Sequence, residues 1–298
     1  MMESEQIRRG SLEMIAAMMI SGTIGWFVLM SGQPVVDVVF WRCAIGAATL
    51  AIVCARLGQF RKGVLTGRAM MIATGGGVAI VLNWLLLFSS YSHTSIAIST
   101  MVYNTQPFML LGLGALFLGE RLTGEKLFWL GLSFLGMLAI VEGKSGGGET
   151  YLFGILLALG AAFFYALAAL AAKKLKGTPP HLIALIQVVT GAVMLAPLAD
   201  FSNLPTSVAV WANLLVVGVL HTGVMYVLLY GAIQKLPTHL TGALSFLYPV
   251  VAILVDHFAL GHVLQPIQLA GSAVILLAAA GVTLGWRPGR RGPRRRTA

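Results

Sequence analysis

Charged residues are scarce in this sequence. Only 10% of its 298 residues are Asp, Glu, Lys or Arg, whereas 58% are hydrophobic. A soluble domain has about 25% charged residues, so the composition excludes an ordinary soluble fold and indicates a protein that lies in lipid. Cysteine is scarce too. Cys43 and Cys54 fall in one apolar segment, and we expect them to pack as small apolar residues rather than to form a disulfide or a metal pair.

The usual signatures of enzymes and channels are missing as well. The short loops contain no paired carboxylates, no His-rich cluster and no nucleophile motif, and a membrane enzyme acting on lipids needs such groups to converge. His93, His239, His257 and His262 lie at predicted helix ends without the spacing of a metal site. No charged ring or carbonyl filter of a channel is present. The sequence therefore predicts no enzyme, no metal and no cofactor.

Long apolar runs make up most of the chain. A membrane-spanning helix needs about 20 mostly apolar residues. Ten such segments can be drawn, joined mainly by short connections that contain turn residues, such as Ser31–Pro34. They predict an all-α integral membrane fold of ten transmembrane helices. The predicted spans are 11–31, 35–57, 69–91, 95–118, 124–142, 151–172, 180–198, 208–232, 238–258 and 265–286.

The basic residues orient these spans. With both termini in the cytoplasm, 18 of the 20 Lys and Arg residues fall in inner segments, Lys144 is the basic residue of the outer loops, and Arg42 lies within a span. Basic residues are retained on the cytoplasmic side, so this distribution supports the orientation and an even number of spans. The tail 287–298 holds six arginines. We expect it to contact anionic lipid headgroups rather than nucleic acid.

The two halves of the chain are related by an internal repeat. Residues 83–119 align without a gap on 225–261, so that Trp84 falls on Tyr226 and Pro107 on Pro249. Residues 34–46 align on 179–191. There the matched pairs are Pro34 with Pro179, Arg42 with Gln187 and Gly46 with Gly191. Five spans per half is an odd number, so matched helices cross the membrane in opposite directions. This inverted repeat is typical of secondary transporters that work by alternating access.

These features resemble the drug/metabolite transporter superfamily in its ten-helix EamA-type branch. The resemblance rests on "FWRCAIGA" in the second span, on "YNTQP" followed by "GERLT", and on "SFLYP" with "LGHVL" in the second half. It covers nearly the whole chain and is nearest to YddG-type aromatic amino-acid exporters. It implies an inner-membrane exporter with two repeats, 1–142 and 151–286, before the basic tail 287–298. One departure is that Glu120 has His262 at its matched position.

Two charged residues within the spans have two interpretations each. Arg42 is a countercharge for a substrate carboxylate, or a structural arginine that bonds carbonyls or reaches outward, aided by Asp37. The matched Gln187, which is neutral, favours the structural role. Glu13, one turn into the first span, is a proton or substrate gate, or a solvated acid at a helix start.

Aromatic and amide side chains supply the remaining candidates. A pocket lined by them suits an amphipathic solute that is partly aromatic, whereas ordinary helix packing is the alternative for each ring. Tyr91, near an outer end, fits an interfacial belt, and His221 either titrates near neutral pH or bonds a neighbouring helix. The candidate substrate-binding residues are Trp26, Asn83, Trp84, Tyr103, Asn104, Gln106, Tyr165, His221, Tyr226 and Tyr248.

The stretch "TMVYNTQPFML", residues 100–110, interrupts an apolar run with polar residues and a proline. Pro107 frees the carbonyl of Tyr103 and lets the helix bend. With its matched Pro249 it is predicted to form the hinge of the two halves. We expect Tyr103, Asn104 and Gln106 to face a cavity or the opposite half, while Phe108 and Met109 pack.

Together these observations predict a secondary transporter that exports amino acids, with aromatic and other apolar side chains favoured. Arg42 is the single basic residue well inside a span. One basic residue does not compensate the negative charge of a phosphate ester, so a substrate with a net charge near zero fits better. The alternative is proton-coupled efflux of drugs or general metabolites. An integral-membrane lipid enzyme is a third and weaker alternative. The sequence does not predict an oligomeric state.

Overall fold

The computed structural model describes residues 2–60, 65–118, 123–142, 148–175, 177–236, 244–245 and 247–286. All regular secondary structure within these residues is helical, which confirms the predicted all-helical fold. A π-helical segment, Val216–Val224, joins α9 to α10. The helices are α1 (Met2–Met30), α2 (Val35–Arg56), α3 (Gly67–Tyr91), α4 (Ile96–Tyr103), α5 (Gln106–Leu118), α6 (Gly124–Glu142), α7 (Gly148–Lys174), α8 (Pro180–Leu195), α9 (Val208–Leu215), α10 (Met225–Lys235), α11 (Leu247–Leu260) and α12 (Pro266–Leu284).

Several helices have the length of membrane spans, and the described surface has their apolar character. Val208, Phe258 and Leu116 are 83%, 79% and 75% exposed, as lipid-facing side chains would be. Polar side chains such as Arg42, Asn83 and His221 are buried instead. Within the described residues, five stretches are long and apolar enough to cross a membrane, namely Glu5–Met30, Val35–Arg56, Gly67–Tyr91, Gly148–Ala172 and Val208–Leu229.

Local chemistry sets the helix ends. Thr66 begins α3 by accepting a hydrogen bond from the Ala69 N–H, and Ser95 begins α4 by accepting one from Ile98. Such caps satisfy N–H groups that have no partner inside the helix. Gly32 adopts a φ of 59° in the turn between α1 and α2, a conformation that costs glycine least. The turn residues of the sequence thus lie where helices reverse direction.

The two halves, α1–α6 and α7–α12, interleave through matched contacts. Helix α3 packs on α7 as α1 packs on α10, and α3 packs on α8 as α2 packs on the π-helical segment. The contacts of α4 and α5 with α7 correspond to that of α1 with α11. Three further pairs join helices with the same place in each half: α2 with α8, α4 with α11, and α6 with α12. Each half therefore completes the core of the other.

The stretch 100–110 contains a helix break. Helix α4 ends at Tyr103 and α5 begins at Gln106, so Pro107 lies in the first turn of α5, where its missing N–H is tolerated. The side chains of Asn104 and Thr105 donate hydrogen bonds to the carbonyls of Thr100 and Val102, at 2.7 and 2.8 Å. The polar residues of this stretch therefore compensate backbone groups at the break.

Candidate functional site

Arg42 of α2 occupies the middle of the core. Its side chain is 2% exposed, and its Nε donates a hydrogen bond to Thr222 Oγ1 at 3.0 Å. The guanidinium carbon lies 3.8 Å from the centre of the Trp84 ring and 5.7 Å from that of Phe88. A guanidinium stacked on an aromatic face is held by cation–π attraction, which strengthens away from water. Arg42 is thus oriented by one hydroxyl and one indole.

An aromatic layer surrounds this guanidinium. Trp84, Tyr91 and Tyr103 are 5%, 4% and 7% exposed. Tyr91, Tyr103 and Tyr226 lie in electrostatic range of Arg42. Tyr91, which we expected at the membrane interface, therefore belongs to the buried layer. Tyr103 meets Tyr165 of α7 edge-on, with ring centres 5.8 Å apart, and Tyr165, which is 38% exposed, lies at the edge of the layer. The rings come from both halves of the chain.

Three buried oxygen atoms in the same core have no well-formed hydrogen bond among the described residues. They are Tyr91 Oη, Thr100 Oγ1 and Asn83 Oδ1. The amide nitrogen of Asn83 donates to the Ala161 carbonyl of α7 at 2.7 Å, so its oxygen is the group that is left. Buried polar atoms without a partner are rare, because each loses its hydrogen bonds to water. A bound molecule would therefore compete for these oxygens with the contacts among Tyr91, Thr100 and Tyr248 and with that between Asn83 and Tyr103.

His221 and Thr222 lie side by side in the π-helical segment and contact different helices. His221 is fully buried; its Nε2 lies 3.0 Å from Thr23 Oγ1 of α1, and its Nδ1 lies 3.2 Å from the Val216 carbonyl. Phe27 of α1 packs on the imidazole with ring centres 5.2 Å apart, and the predicted Trp26 packs on Phe27. Thr222 instead turns toward Arg42 of α2. The π-helical segment therefore connects two helices of the first half.

The predicted hinge region lies beside this layer. Gln106 Oε1 is buried without a partner among the described residues, whereas the amide of Asn104 bonds its own helix. Phe108 packs against Trp129 and against Ala278 and Ala279 of α12. A groove of about 380 Å³ opens next to the break between α5, α6 and α7, and none of the predicted site residues lines it. Pro249 lies in α11 and is buried, while 237–243 and 246 lie outside the described residues.

An ion cluster joins α1 to α10 at one end of the molecule. Lys235 Nζ donates to both carboxylate oxygens of Glu13, at 2.9 and 2.6 Å, and Arg9 Nε donates to one of them at 3.2 Å. Gly231 makes room for this carboxylate, because a Cβ there would lie 3.0 Å from Glu13 Oε2. Glu13 is therefore paired with two basic residues, and one of them lies in the other half.

Carboxylates form contacts of another kind at the opposite end. Asp256 of α11 is 1% exposed and accepts hydrogen bonds from the Ile96 N–H at 3.2 Å and from His262 Nδ1 at 3.0 Å. It thus holds the first turn of α4 and the residue matched to Glu120, which itself lies outside the described residues. Asp256 therefore links α11 to α4 across the two halves.

Asp37 is held by the loop before α9. Its carboxylate accepts from the Asp200 N–H at 2.9 Å. Hydrogen bonds from Asn203 and Ser202 lower the pKa of Asp200 to about 2, so this loop keeps a negative charge at neutral pH. No ion pair joins Asp37 to Arg42 within the described part of the chain. The predicted support of Arg42 by Asp37 is therefore not observed.

The structure brings most predicted residues together and separates a few. Arg42, Trp84, Tyr103 and Tyr226 form one layer, and Tyr248 and Asn83 pack in the same core. Glu13 lies apart from them. Thr222 and Thr100 were missed, because a threonine within a span usually bonds its own helix. The signal that could have found Thr222 is its place next to His221.

The comparisons with known proteins identify a family. The EamA-like transporter family model matches residues 8–142 and 152–284, once in each half. "Uncharacterized transporter YxxF" of Bacillus subtilis is 30% identical over 291 residues, which cover 96% of this chain and 93% of that protein. "Probable terminal-alkyne amino-acid exporter" of Streptantibioticus cattleyicolor is 28% identical, with coverages of 86% and 85%.

Two further matches agree with these. "Probable amino-acid metabolite efflux pump" of Salmonella typhimurium is 26% identical over 194 residues, which cover 60% of this chain and 64% of that protein. A solved crystal structure superposes with a TM-score of 0.65 at 19% identity and covers 92% of this chain and 96% of its own. The second match supports the fold alone.

Proposed function

Because this chain belongs to the EamA-like transporter family, we propose that it exports amino acids with aromatic or other apolar side chains. It is a transporter of small molecules rather than an enzyme, and it is a multi-pass protein of the inner membrane. Two of the relatives described above are named for amino-acid or amino-acid metabolite export. Their names support the substrate class proposed for this chain.

The observation that carries the proposal is the buried layer around Arg42. One cation stands among aromatic rings from both halves, and no described carboxylate forms an ion pair with it. A site with a single positive charge, apolar walls and a few oxygen acceptors complements an amphipathic solute with one carboxylate and one ammonium group. A phosphate ester carries more negative charge than this site compensates.

The proposed topology is ten crossings in two inverted five-helix repeats, with both termini in the cytoplasm. Several contacts between helix ends support it, because each joins two ends that the ten-span count places on the same face. A count wrong by one span would place some partners on opposite faces. The inner contacts are Glu13–Lys235 and Trp129–Trp286, and the outer ones are Asp37–Asp200, Ile96–Asp256 and Ile140–Tyr151.

In this topology the layer around Arg42 lies between two closures. The Glu13–Lys235 cluster joins the halves on the inner side, and Asp256 joins them on the outer side. Alternating access then consists of opening one closure while the other holds. The break at Asn104–Thr105, with Pro107 and the matched Pro249, is the proposed hinge. The proposed repeats are 1–142 and 151–286, and the tail 287–298, outside the described residues, is proposed to contact anionic headgroups.

Flux in liposomes tests the proposal. Purified protein is reconstituted, and movement of radiolabelled tryptophan, phenylalanine and methionine is measured with and without a pH gradient. We expect saturable flux of these amino acids that unlabelled apolar amino acids inhibit. If phosphorylated metabolites move and amino acids do not, the proposal is wrong. Flux of lipophilic cations or general metabolites that requires the gradient would support the drug or metabolite efflux alternative instead.

A further inference from the structure

Arg42 and its matched residue Gln187 make the same kind of helix contact. The helix of Arg42 packs on the π-helical segment, where a Cβ on Gly218 would lie 2.5 Å from Ile45 Cβ and one on Gly46 would lie 2.5 Å from Thr222 Cγ2. The helix of Gln187 packs on α3, where a Cβ on Gly76 would lie 3.1 Å from Gln187 Nε2. A neutral amide thus suffices for this packing in one half.

The charge of Arg42 therefore needs a reason other than packing. A buried charge without a counterion is costly, because water no longer solvates it. We propose that Arg42 is the anchor for the carboxylate of the transported substrate. This inference rests on the proposed function and deepens it, since it states which chemical group the site requires: one carboxylate, without which an otherwise similar molecule is not bound.

The geometry leaves the two terminal nitrogens of the guanidinium available for this role. Within the described residues, the hydrogen bond from Nε to Thr222 is the one that Arg42 donates. Its two terminal nitrogens are then left to donate parallel hydrogen bonds to the two oxygens of a carboxylate, a pairing that lysine cannot reproduce. The Trp84 ring holds the guanidinium from one face, with its centre 3.8 Å from the guanidinium carbon. The acid nearest in sequence, Asp37, already accepts from Asp200.

The rest of the core complements an ammonium group and an apolar side chain. Tyr91 Oη, in electrostatic range of Arg42, Thr100 Oγ1 and Asn83 Oδ1 are buried oxygens without a well-formed hydrogen bond among the described residues. Tyr91 and Thr100 lie within range of each other, and Asn83 lies within range of Tyr103, so these are weak contacts that an ammonium group can replace. An ammonium group donates three hydrogen bonds and needs such acceptors. The rings of Tyr103 and Tyr165 supply the apolar wall. The ligand class is therefore a monocarboxylate with a primary ammonium group and an apolar side chain.

An analogue series with wild-type protein provides the first test. Phenylalanine, phenylpropanoate, phenylalanine methyl ester and phenethylamine compete with labelled phenylalanine in liposomes. We expect the two carboxylates to compete, and the ester and the amine to be at least about 30-fold weaker, the loss for truncating one partner of a buried charge pair. Equal competition by the ester would overturn the proposal and would leave amino-acid export standing.

The variant Arg42→Gln provides the second test, because it copies the residue that the other half uses at this place. We expect a folded protein whose apparent affinity for phenylalanine falls about 30-fold or more, with Arg42→Lys also impaired. Gln187→Met is the matched control and should change affinity less than about 3-fold. Affinity retained in Arg42→Gln would contradict the anchor.

Thermal stabilisation by the same ligands separates this proposal from the proposed function. If phenylpropanoate stabilises wild type but not Arg42→Gln while no amino acid moves across the liposome membrane, the anchor holds and amino-acid export fails. If amino acids move in wild type and the ligand series stabilises both proteins equally, export holds and the anchor fails. Should Arg42→Gln not fold, the analogue series on wild type still decides.

Discussion

The third long helix of each half packs against the other half in the same way, yet the two copies differ in their backbone. In the first half it is the uninterrupted α3, whereas in the second half α9 passes into a π-helical segment before α10. At the offset of 142 residues, His221 and Thr222 fall on Ala79 and Ile80. At these two positions, polar side chains therefore occupy the copy whose backbone departs from the α-helix.

The symmetry of the repeat ends at this π-helical segment. Single π-helical turns inside α-helices occur often at functional sites, because the wider turn changes the direction of neighbouring side chains. Here His221 meets α1 and Thr222 meets Arg42 of α2. Packing is shared between the halves, but the charge belongs to the first half and its hydroxyl partner to the second.

The largest effect is expected when the charge is moved to the matched place. Gln187→Arg would bury a cation against Gly76 and Gly77, with Ile80 where the other half has Thr222. An uncompensated buried charge costs about 3–5 kcal/mol. We expect little monodisperse protein in size-exclusion chromatography and a lowered melting temperature, whereas Arg42→Gln remains folded. A Gln187→Arg protein as stable as wild type would show that the two places are equivalent.

Removal of the aromatic platform is expected to have the next largest effect. Trp84→Leu deletes the ring that stacks on Arg42, and a desolvated cation–π contact is worth about 2 kcal/mol, which corresponds to about 30-fold in substrate affinity. Tyr226→Leu, at the matched place, is the control and should cost several-fold less. Competition by phenylalanine and its methyl ester measures both. If the Tyr226 variant loses more carboxylate selectivity than the Trp84 variant, Tyr226 and not Trp84 is the ring that supports Arg42.

Loss of the hydroxyl that holds Arg42 should have a smaller effect. Thr222→Val keeps the methyl group that contacts Gly46 but removes the acceptor at 3.0 Å from Arg42 Nε. A hydrogen bond to a charged group contributes about 1.5 kcal/mol or more, so the apparent KM for phenylalanine should rise about 10-fold. Thr222→Ser keeps the hydroxyl and is expected to stay within about 3-fold. If Thr222→Ser raised the KM more than Thr222→Val did, the contact between Thr222 and Arg42 would act through packing and not through the hydrogen bond.

Much of the fold could be predicted from sequence, because a membrane leaves the backbone few choices other than the helix. The glycine turn after α1, the proline at the start of α5 and the matched prolines and glycines were all visible as residues. Arg42, Trp84 and His221 were visible as well, as polar or aromatic groups where lipid does not favour them.

The contacts of these residues could not be predicted in the same way. Thr222 is separated from Arg42 by 180 residues, and Lys235 from Glu13 by 222, so each pairing depends on how the halves interleave. The π-helical segment has the composition of an ordinary apolar helix. Tyr91 was expected at the interface, because its place near a predicted span end gave no sign that it lies buried beside Arg42.

The smallest effect is expected at the ion cluster of Glu13, Lys235 and Arg9. The first half has His93 at the place matched to Lys235, so the repeat does not duplicate this cluster. Glu13→Gln weakens a partly exposed ion pair, and such pairs contribute about 1 kcal/mol or less. Because Lys235 and Arg9 already compensate the carboxylate, we expect amino-acid flux to change by about 5-fold or less, with or without a pH gradient. Lys235→Gln is the reciprocal control and should behave alike. Loss of gradient-driven flux in Glu13→Gln alone would instead make this carboxylate a proton carrier and favour proton-coupled efflux.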